Sequence, residues 1–428
     1  MGTRSSSSLP TVPAAGFVTV RNGRFELNGQ PYRFIGANLW PACYLGDPKL
    51  NGGRTRLTRE LDRLQKIDAT NLRILAGSES CDTLAAAMRR GITRGPRDWD
   101  EDLLLGLDFT LAEMAKRNMR AVLFLSNYWQ WSGGFAQYVR WINNEPIPDP
   151  DKPVMEQGDW SGFMRYSARF YTIPEAVALY RDYVTKLIRR RNTVNGRIYS
   201  EDPTIMTWEL ANEPRPATPM ANSQGVEIFT QWIDATARFI HEQAPRQLVC
   251  AGSEGLHGCL EVPDVFLKVH QSPAIDYVTV HMWLKNWRWL KDPMLSPEYE
   301  AAAARGAAHV EEHTAMADKL HKPLVLEEFG LPRDHENLSP GSPVTARDDY
   351  FRRMFGQVQE SCKAGRALQG ANFWAWAGEG RAGGTYGSAP SYLGEPPCEP
   401  QGLNSIFDTD LSTQKVIAEA NRSLKDLA

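Results

Sequence analysis

Short apolar runs of five to seven residues alternate with longer stretches of helical period along most of the chain. The runs are Tyr32–Ala37, Asn71–Ala76, Arg120–Ser126, Ile205–Leu210, Gln247–Ala251, Tyr277–His281, Pro323–Glu327 and Gly370–Trp374. Between and after them, Arg56–Lys66, Leu103–Arg117, Pro174–Arg190, Gln224–Gln243, a shorter stretch near Val265, Ala301–Lys319, Ala346–Ala364 and Thr413–Leu427 have helical spacing. Strands alternating with helices imply a parallel sheet. Eight such strands point to an α/β protein of (β/α)8 TIM-barrel architecture, and the spare length goes to long βα loops. An open doubly wound sheet needs a glycine-rich phosphate loop after its first strand, and GANLWPACYLG is not one. Ahead of the barrel, FVTVRNGRFELNGQPYRF turns at Asn22-Gly23 and Asn28-Gly29, which predicts a small N-terminal β-hairpin. Residues 1–16, rich in Ser, Pro and Ala, read as a flexible leader, and 17–428 as a single catalytic-sized domain.

In such a barrel the chemistry sits where each strand gives way to its loop. At those points stand Asn38 and Trp40, Arg73, Asn127 and Trp129, Asn212 and Glu213, Glu254, His281 and Trp283, Glu328, and Trp374. Polar, carboxylate and aromatic groups recur there, while strand interiors are apolar. Composition narrows the ligand class. The net charge of −3 does not suit a nucleic-acid surface, which rests on cationic contacts. The 13 Trp, with 14 Tyr and 16 Phe, are suited to a large core or to a cleft for flat, weakly charged ligands. No run approaches the ~18 apolar residues of a membrane span.

Glu213 in TWELANEP and Glu328 in LVLEEFG close the fourth and seventh strands. Two carboxylates across a small cleft are the machinery of glycoside hydrolysis, one protonating the departing oxygen and the other attacking the anomeric carbon or activating water. WELANEPR, KPLVLEEFG and FWAW, with NYWQWSGGFAQYVRW, FYTIPEA and EPQGLNSIFD, make the chain resemble glycoside hydrolase family 5, within the clan of retaining (β/α)8 glycosidases, and in particular its β-mannanase branch. The resemblance runs from Phe17 onward. It implies that Glu213 is the acid/base and Glu328 the nucleophile, with carboxyl groups ~5–5.5 Å apart. It further implies that Asn212 bonds the sugar 2-hydroxyl, that Arg73 lies under Glu328 and keeps it ionised, that His281 helps hold the network, and that Trp374 forms the floor of the cleaved sugar's site. Arg215 resembles the arginine of the branch that contacts the leaving-side sugar. Glu213 is expected to have a raised pKa. Strand side chains alternate, so only one of Glu327 and Glu328 is expected to face the cleft. Trp40, Trp129, Trp131, Trp283, Trp287 and Trp289 are candidates for further sugar subsites. Two positions depart from the family pattern: Ser126-Asn127 where many members have His, and His281-Met282-Trp283 where many have His-x-Tyr.

The resemblance implies an endo-β-1,4-mannanase acting on mannan, glucomannan or galactomannan, with an exo-acting β-mannosidase as the alternative. A long insertion at 139–171 is the feature that could wall off one end of the cleft. No cofactor, metal, nucleic acid or membrane is expected, and the protein is expected to be a monomer. Polymeric mannan cannot enter cells, so an endo enzyme is expected to be secreted or periplasmic, although no apolar leader segment is visible in the first residues. A catalytically silent carbohydrate-binding barrel predicts loss of a carboxylate, and both are present. His309-Val-Glu-Glu-His313 fits a metalloprotease pattern but lies on an amphipathic helix and reads as a solvated face. The G-x-G-x-x-G at 378–383 does not open a helix, and Glu379 in that loop is a further candidate for touching substrate. The six cysteines lack C-x-x-C spacing; they fit disulfides or buried thiols, with Cys43 and Cys398 the better bridging candidates.

Overall fold

The computed structural model describes residues 16–151, 158–217, 222–383 and 387–427. Nearly all of the expected leader, residues 1–15, lies outside them. Each of the eight apolar runs forms a strand: Phe34–Asn38, Asn71–Leu75, Arg120–Phe124, Ile205–Glu209, Leu248–Cys250, Val278–Met282, Leu324–Phe329 and Leu368–Phe373. They form one sheet in which every ladder is parallel. Fifth and sixth strands lie at the sheet's two ends, and single bonds join them: Asp276 N–H to Val249 O at 2.9 Å and His281 N–H to Glu254 O at 3.2 Å. The sheet thus closes as the barrel the alternation predicts.

The helices follow the same logic. Gly53–Lys66, Glu101–Lys116, Pro174–Ile188, Gln224–His241, Pro263–His270, Pro297–Leu320, Thr345–Lys363 and Leu411–Lys425 lie within a few residues of the predicted spans. Asp100 caps the second of these, accepting from the N–H groups of Asp102 and Leu103, and Pro174 begins the third at a position where its missing N–H costs nothing. The two longer loop helices, Gly134–Asn143 and Trp160–Ala168, were not legible. Both belong to the insertion after the third strand. Among the described residues no helix is long and apolar enough to cross a membrane.

The N-terminal segment goes one strand beyond the predicted hairpin. Val18–Arg21, Arg24–Leu27 and Gln30–Pro31 make a three-stranded antiparallel sheet. Its two turns hold Asn22, Gly23, Asn28 and Gly29 at φ between 50 and 75°, the left-handed pairs that Asn-Gly accepts at least cost. This sheet plugs the amino end of the barrel, where Val18 and Phe25 pack with Phe34, Met206, Leu248, Tyr277 and Val325. All six cysteines are free thiols, and five are buried, so neither Cys43 nor Cys398 forms the bridge considered for it. Cys43 is sealed in the core and Cys398 lies beside the cavity described next.

Candidate active site

A cavity of about 470 Å³ opens at the carboxyl rim, lined by Glu213, Glu328, Asn212, Trp129, Trp283, Trp374 and their neighbours. Strand ends supply them. Asn212 is fixed by backbone bonds on both sides, to Ser126 O and from Tyr128 N–H, each 2.9 Å. The next residue, Glu213, is held at φ 53°, a left-handed conformation that a non-glycine residue adopts only when its surroundings impose it. Its N–H is anchored to Gly252 O at 2.8 Å. The side chain thereby turns out of the strand and over the barrel mouth.

Arg73 organises the floor. It is fully buried, and each of its five N–H groups has an acceptor. Nε and Nη2 grip Glu209 at 2.9 and 2.6 Å. Nη2 also reaches Asn212 Oδ1 at 2.7 Å, and Nη1 reaches Asn38 Oδ1 at 3.1 Å and the carboxylate of Glu328. Burial alone lowers the basicity of a guanidinium, but Glu209, Glu328 and Glu327 hold Arg73 firmly charged.

Glu213 receives Trp129 Nε1–H on Oε2 at 2.5 Å and faces His281 Nδ1 through Oε1 at 2.6 Å. His281 Nδ1 is also 3.4 Å from Glu328 Oε2. One oxygen of each carboxylate and a ring nitrogen of His281 lie within 4.8 Å of one another. Burial raises the Glu213 pKa, yet the His281 bond and charge, with Arg215 and Trp129, outweigh it and leave Glu213 below its ordinary value. Burial raises Glu328, and the charge of Glu213 adds to that against His281 and Arg73, so Glu328 lies above its ordinary value. Burial disfavours the His281 cation, but Glu328, Glu213 and Glu327 keep it well above its usual range. Glu213 is thus shifted down where a raised value was expected, because His281 Nδ1 lies closer to Glu213, at 2.6 Å, than to Glu328, at 3.4 Å.

Of the other expected residues, Arg215, Trp283, Trp287, Trp131 and Trp374 line the cavity. Arg215 pairs with Glu254 through Nε at 2.7 Å and lies over the Trp129 ring at 4.8 Å. Trp374 meets Trp283 edge-on at 6.0 Å. Trp40 does not reach the cavity. It is fully buried, donates to Gly394 O at 3.1 Å and packs edge-on against Trp131, because its strand ends at Asn38 and the chain then turns the ring into the loop core. Asn127 is likewise buried and does not line the cavity; it donates to Ser132 Oγ at 3.0 Å and accepts from Asn212, positioning the loop rather than meeting a ligand. Arg73 and His281 are sealed beneath the cavity surface. Trp289 meets Trp287 and His309 edge-on outside it. Glu379 is bound to Arg59 and Arg63 on the outer helix, away from the cleft. His309 and His313 do not lie on a solvated face: the helix turns both inward, while Glu311 and Glu312 between them are exposed.

Both Glu327 and Glu328 point inward, against the alternation rule. The register between sixth and seventh strands slips after Val280, so that His281 pairs with Glu328 and Glu327 is the extra residue of a bulge. Only Glu328 lines the cavity. Sequence reading placed Glu254 at a strand end but missed Glu209, Trp160, Asn286 and Glu399. A charge inside the apolar run of Ile205–Glu209 was the available signal for Glu209. Glu399 comes from the loop after the eighth strand; burial and the nearby Glu395, Glu328 and Glu213 push its pKa up to about 8, and its Oε2 has no hydrogen-bond partner among the described residues.

Residues 15–428 match the model of the glycoside hydrolase family 5 beta-mannosidase-like group. Mannan endo-1,4-beta-mannosidase 7 of Arabidopsis thaliana is 28% identical over 376 residues, 85% of this chain and 78% of that protein. The crystal structure of a glycoside hydrolase family 5 mannosidase from Rhizomucor miehei is 33% identical with a TM-score of 0.86, covering 96% of this chain and 98% of its own. An endo-1,4-beta-mannanase from the same organism shares the fold at 19% identity and a TM-score of 0.68, covering 96% of this chain and all (100%) of its own.

Proposed function

Because the chain belongs to the β-mannosidase-like glycoside hydrolases of family 5, we propose that it hydrolyses β-1,4-mannosidic bonds by double displacement with retention of configuration. One observation carries the stereochemistry: oxygens of Glu213 and Glu328 approach within 4.8 Å. That matches the ~5–5.5 Å of retaining pairs and leaves no room for the water that separates inverting carboxylates by ~6.5–9.5 Å.

Glu328 attacks the anomeric carbon, and Glu213 gives its proton to the departing oxygen. Water, deprotonated by Glu213, then releases the sugar from Glu328. Arg73 beside Glu328 compensates the charge that returns to the nucleophile when the intermediate breaks. Asn212, oriented by Arg73 and Asn127, bonds the sugar 2-hydroxyl, a contact that strengthens as oxocarbenium character develops. Trp374 offers the C–H-rich face of the pyranose a flat apolar floor. Arg215, held by Glu254, meets the leaving-side sugar.

The main reading is endo action on mannan, glucomannan or galactomannan, which the Arabidopsis relative supports. As a polysaccharide-degrading enzyme it would work outside the cytoplasm, secreted or periplasmic. A specific observation favours exo action as the second reading. Trp129 and Trp160 on one side and Pro396, Cys398 and Glu399 on another wall the cavity, and the Rhizomucor mannosidase is more alike than the endo-mannanase of that organism. A time course on mannohexaose separates the two. Mixed short oligomers at early times indicate internal cutting; mannose alone indicates release from chain ends. No product at all would remove both readings.

A further inference from the structure

Glu327 is fully buried, and neither of its carboxylate oxygens has a hydrogen-bond partner among the described residues. A buried carboxylate in that state is costly unless a charge compensates it. Two cations flank it: His281 Nε2 at 3.5 Å and Arg73 Nε at 3.6 Å from Oε2. Arg73 does not need this carboxylate, because Glu209, Glu328, Asn38 and Asn212 already take all its N–H groups. His281 does. Its Nδ1 is committed to Glu213 at 2.6 Å, and its buried Nε2 otherwise has no acceptor among the described residues. The bulge between Val280 and His281 is what brings Glu327 to this nitrogen, since regular alternation would turn it away.

We infer that Glu327 is a positioning residue for the acid/base: through His281 it fixes where the proton shared by His281 and Glu213 resides. This rests on the proposed retaining mechanism. Glu327, His281 and Glu213 form a row in which a carboxylate at Nε2 holds the imidazole doubly protonated and oriented, so that Nδ1–H always points at Glu213. The proton on Nδ1 passes to Glu213 Oε1, leaving a neutral ring, and Glu213 delivers it to the glycosidic oxygen. In the second half-reaction Glu213 takes a proton from water and His281 recovers it, so the pair ends as it began. The other titratable groups around this row are Glu213 and Glu254 from the loops after the fourth and fifth strands, Glu209 on the fourth, Cys250 on the fifth, within 4.8 Å of Glu327, Glu328 on the seventh and Arg73 on the second.

The test is the pH dependence of kcat/KM on mannohexaose for the native enzyme and Glu327→Gln, an isosteric change that removes only the charge. An opposite charge at this distance is worth ~1–3 pH units. Its loss makes the shared proton leave sooner, so the basic limb moves down by at least about one unit. A lower kcat with the limb unmoved would mean a structural role and overturn the inference. If Glu327→Gln does not fold, ¹⁵N-histidine NMR of the native protein decides. An imidazolium at position 281 that persists to pH 8 supports it, and a ring with a bare Nε2 at pH 7 overturns it. Glu213→Gln and Glu328→Gln measured alongside distinguish the failures. If they stay active, the mechanism itself is wrong; if they are dead and the limb is fixed, only the role of Glu327 is.

Discussion

The two ends of the barrel are built from the same eight strands and have opposite chemistry. At the amino end, Phe25 and Phe34 pack with Met206, Tyr277 and Val325 under a small sheet that closes the barrel with apolar surface. At the carboxyl end, Arg73, Glu209, His281, Glu327 and Glu328 are just as buried but carry ionisable groups, and a bulge and a left-handed glutamate position them. The difference teaches where each kind of free energy is used. Apolar burial at one end supplies stability, and desolvated charge at the other is kept because a reaction needs it.

The largest effect that could break this contrast lies at the rim. Replacing Glu328 or Glu213 by Gln is expected to lower kcat/KM by roughly 10⁴-fold or more, at the upper range for loss of an acid/base. The melting temperature should shift by less than about 3 °C, since neither side chain anchors the apolar core. Calorimetry beside kinetics checks both halves. At the other end the pattern should invert. Phe25 is fully buried against Tyr277 at 5.2 Å, and Phe25→Ala should cost about 3–5 kcal/mol in urea unfolding while kcat at low temperature stays within about twofold.

A smaller effect sharpens the comparison by contrasting histidines. His281 is kept charged, whereas burial outside the barrel pushes His270 and His313 down to about 4. Their folded pKa values lie below the unfolded value near 6.5, so the unfolded chain binds more protons between those limits. Their contribution is present above about pH 6.5 and is lost as pH falls toward about 4. Melting temperature measured across that window should fall, and His313→Gln should flatten the slope. An unchanged slope would mean that His313 is not held neutral.

Periodicity made the barrel legible, because apolar runs and helical stretches are local signals, and Asn-Gly turns announced the small sheet. Glu213, Glu328, Asn212, Arg73 and His281 were legible because the resemblance is carried by residues adjacent to them. Trp40 and Asn127 were misread because position at a strand end does not fix side-chain direction; Trp40 turns into the loop core within two residues. Glu327 was assigned outward because alternation assumes regular pairing, and a bulge depends on the partner strand. Glu399 lies about 25 residues beyond the eighth strand in a loop with no periodicity, so only the folded chain brings it to Glu213 and Glu328.

The central claim is that Glu213 and Glu328 grip one anomeric centre closely enough for the protein itself to attack it. Proton NMR of the new reducing end released from mannohexaose, recorded before mutarotation, decides this. The β anomer is expected first, with the α anomer growing in later. An α anomer as the initial product would mean direct attack by water and would rule out the covalent step.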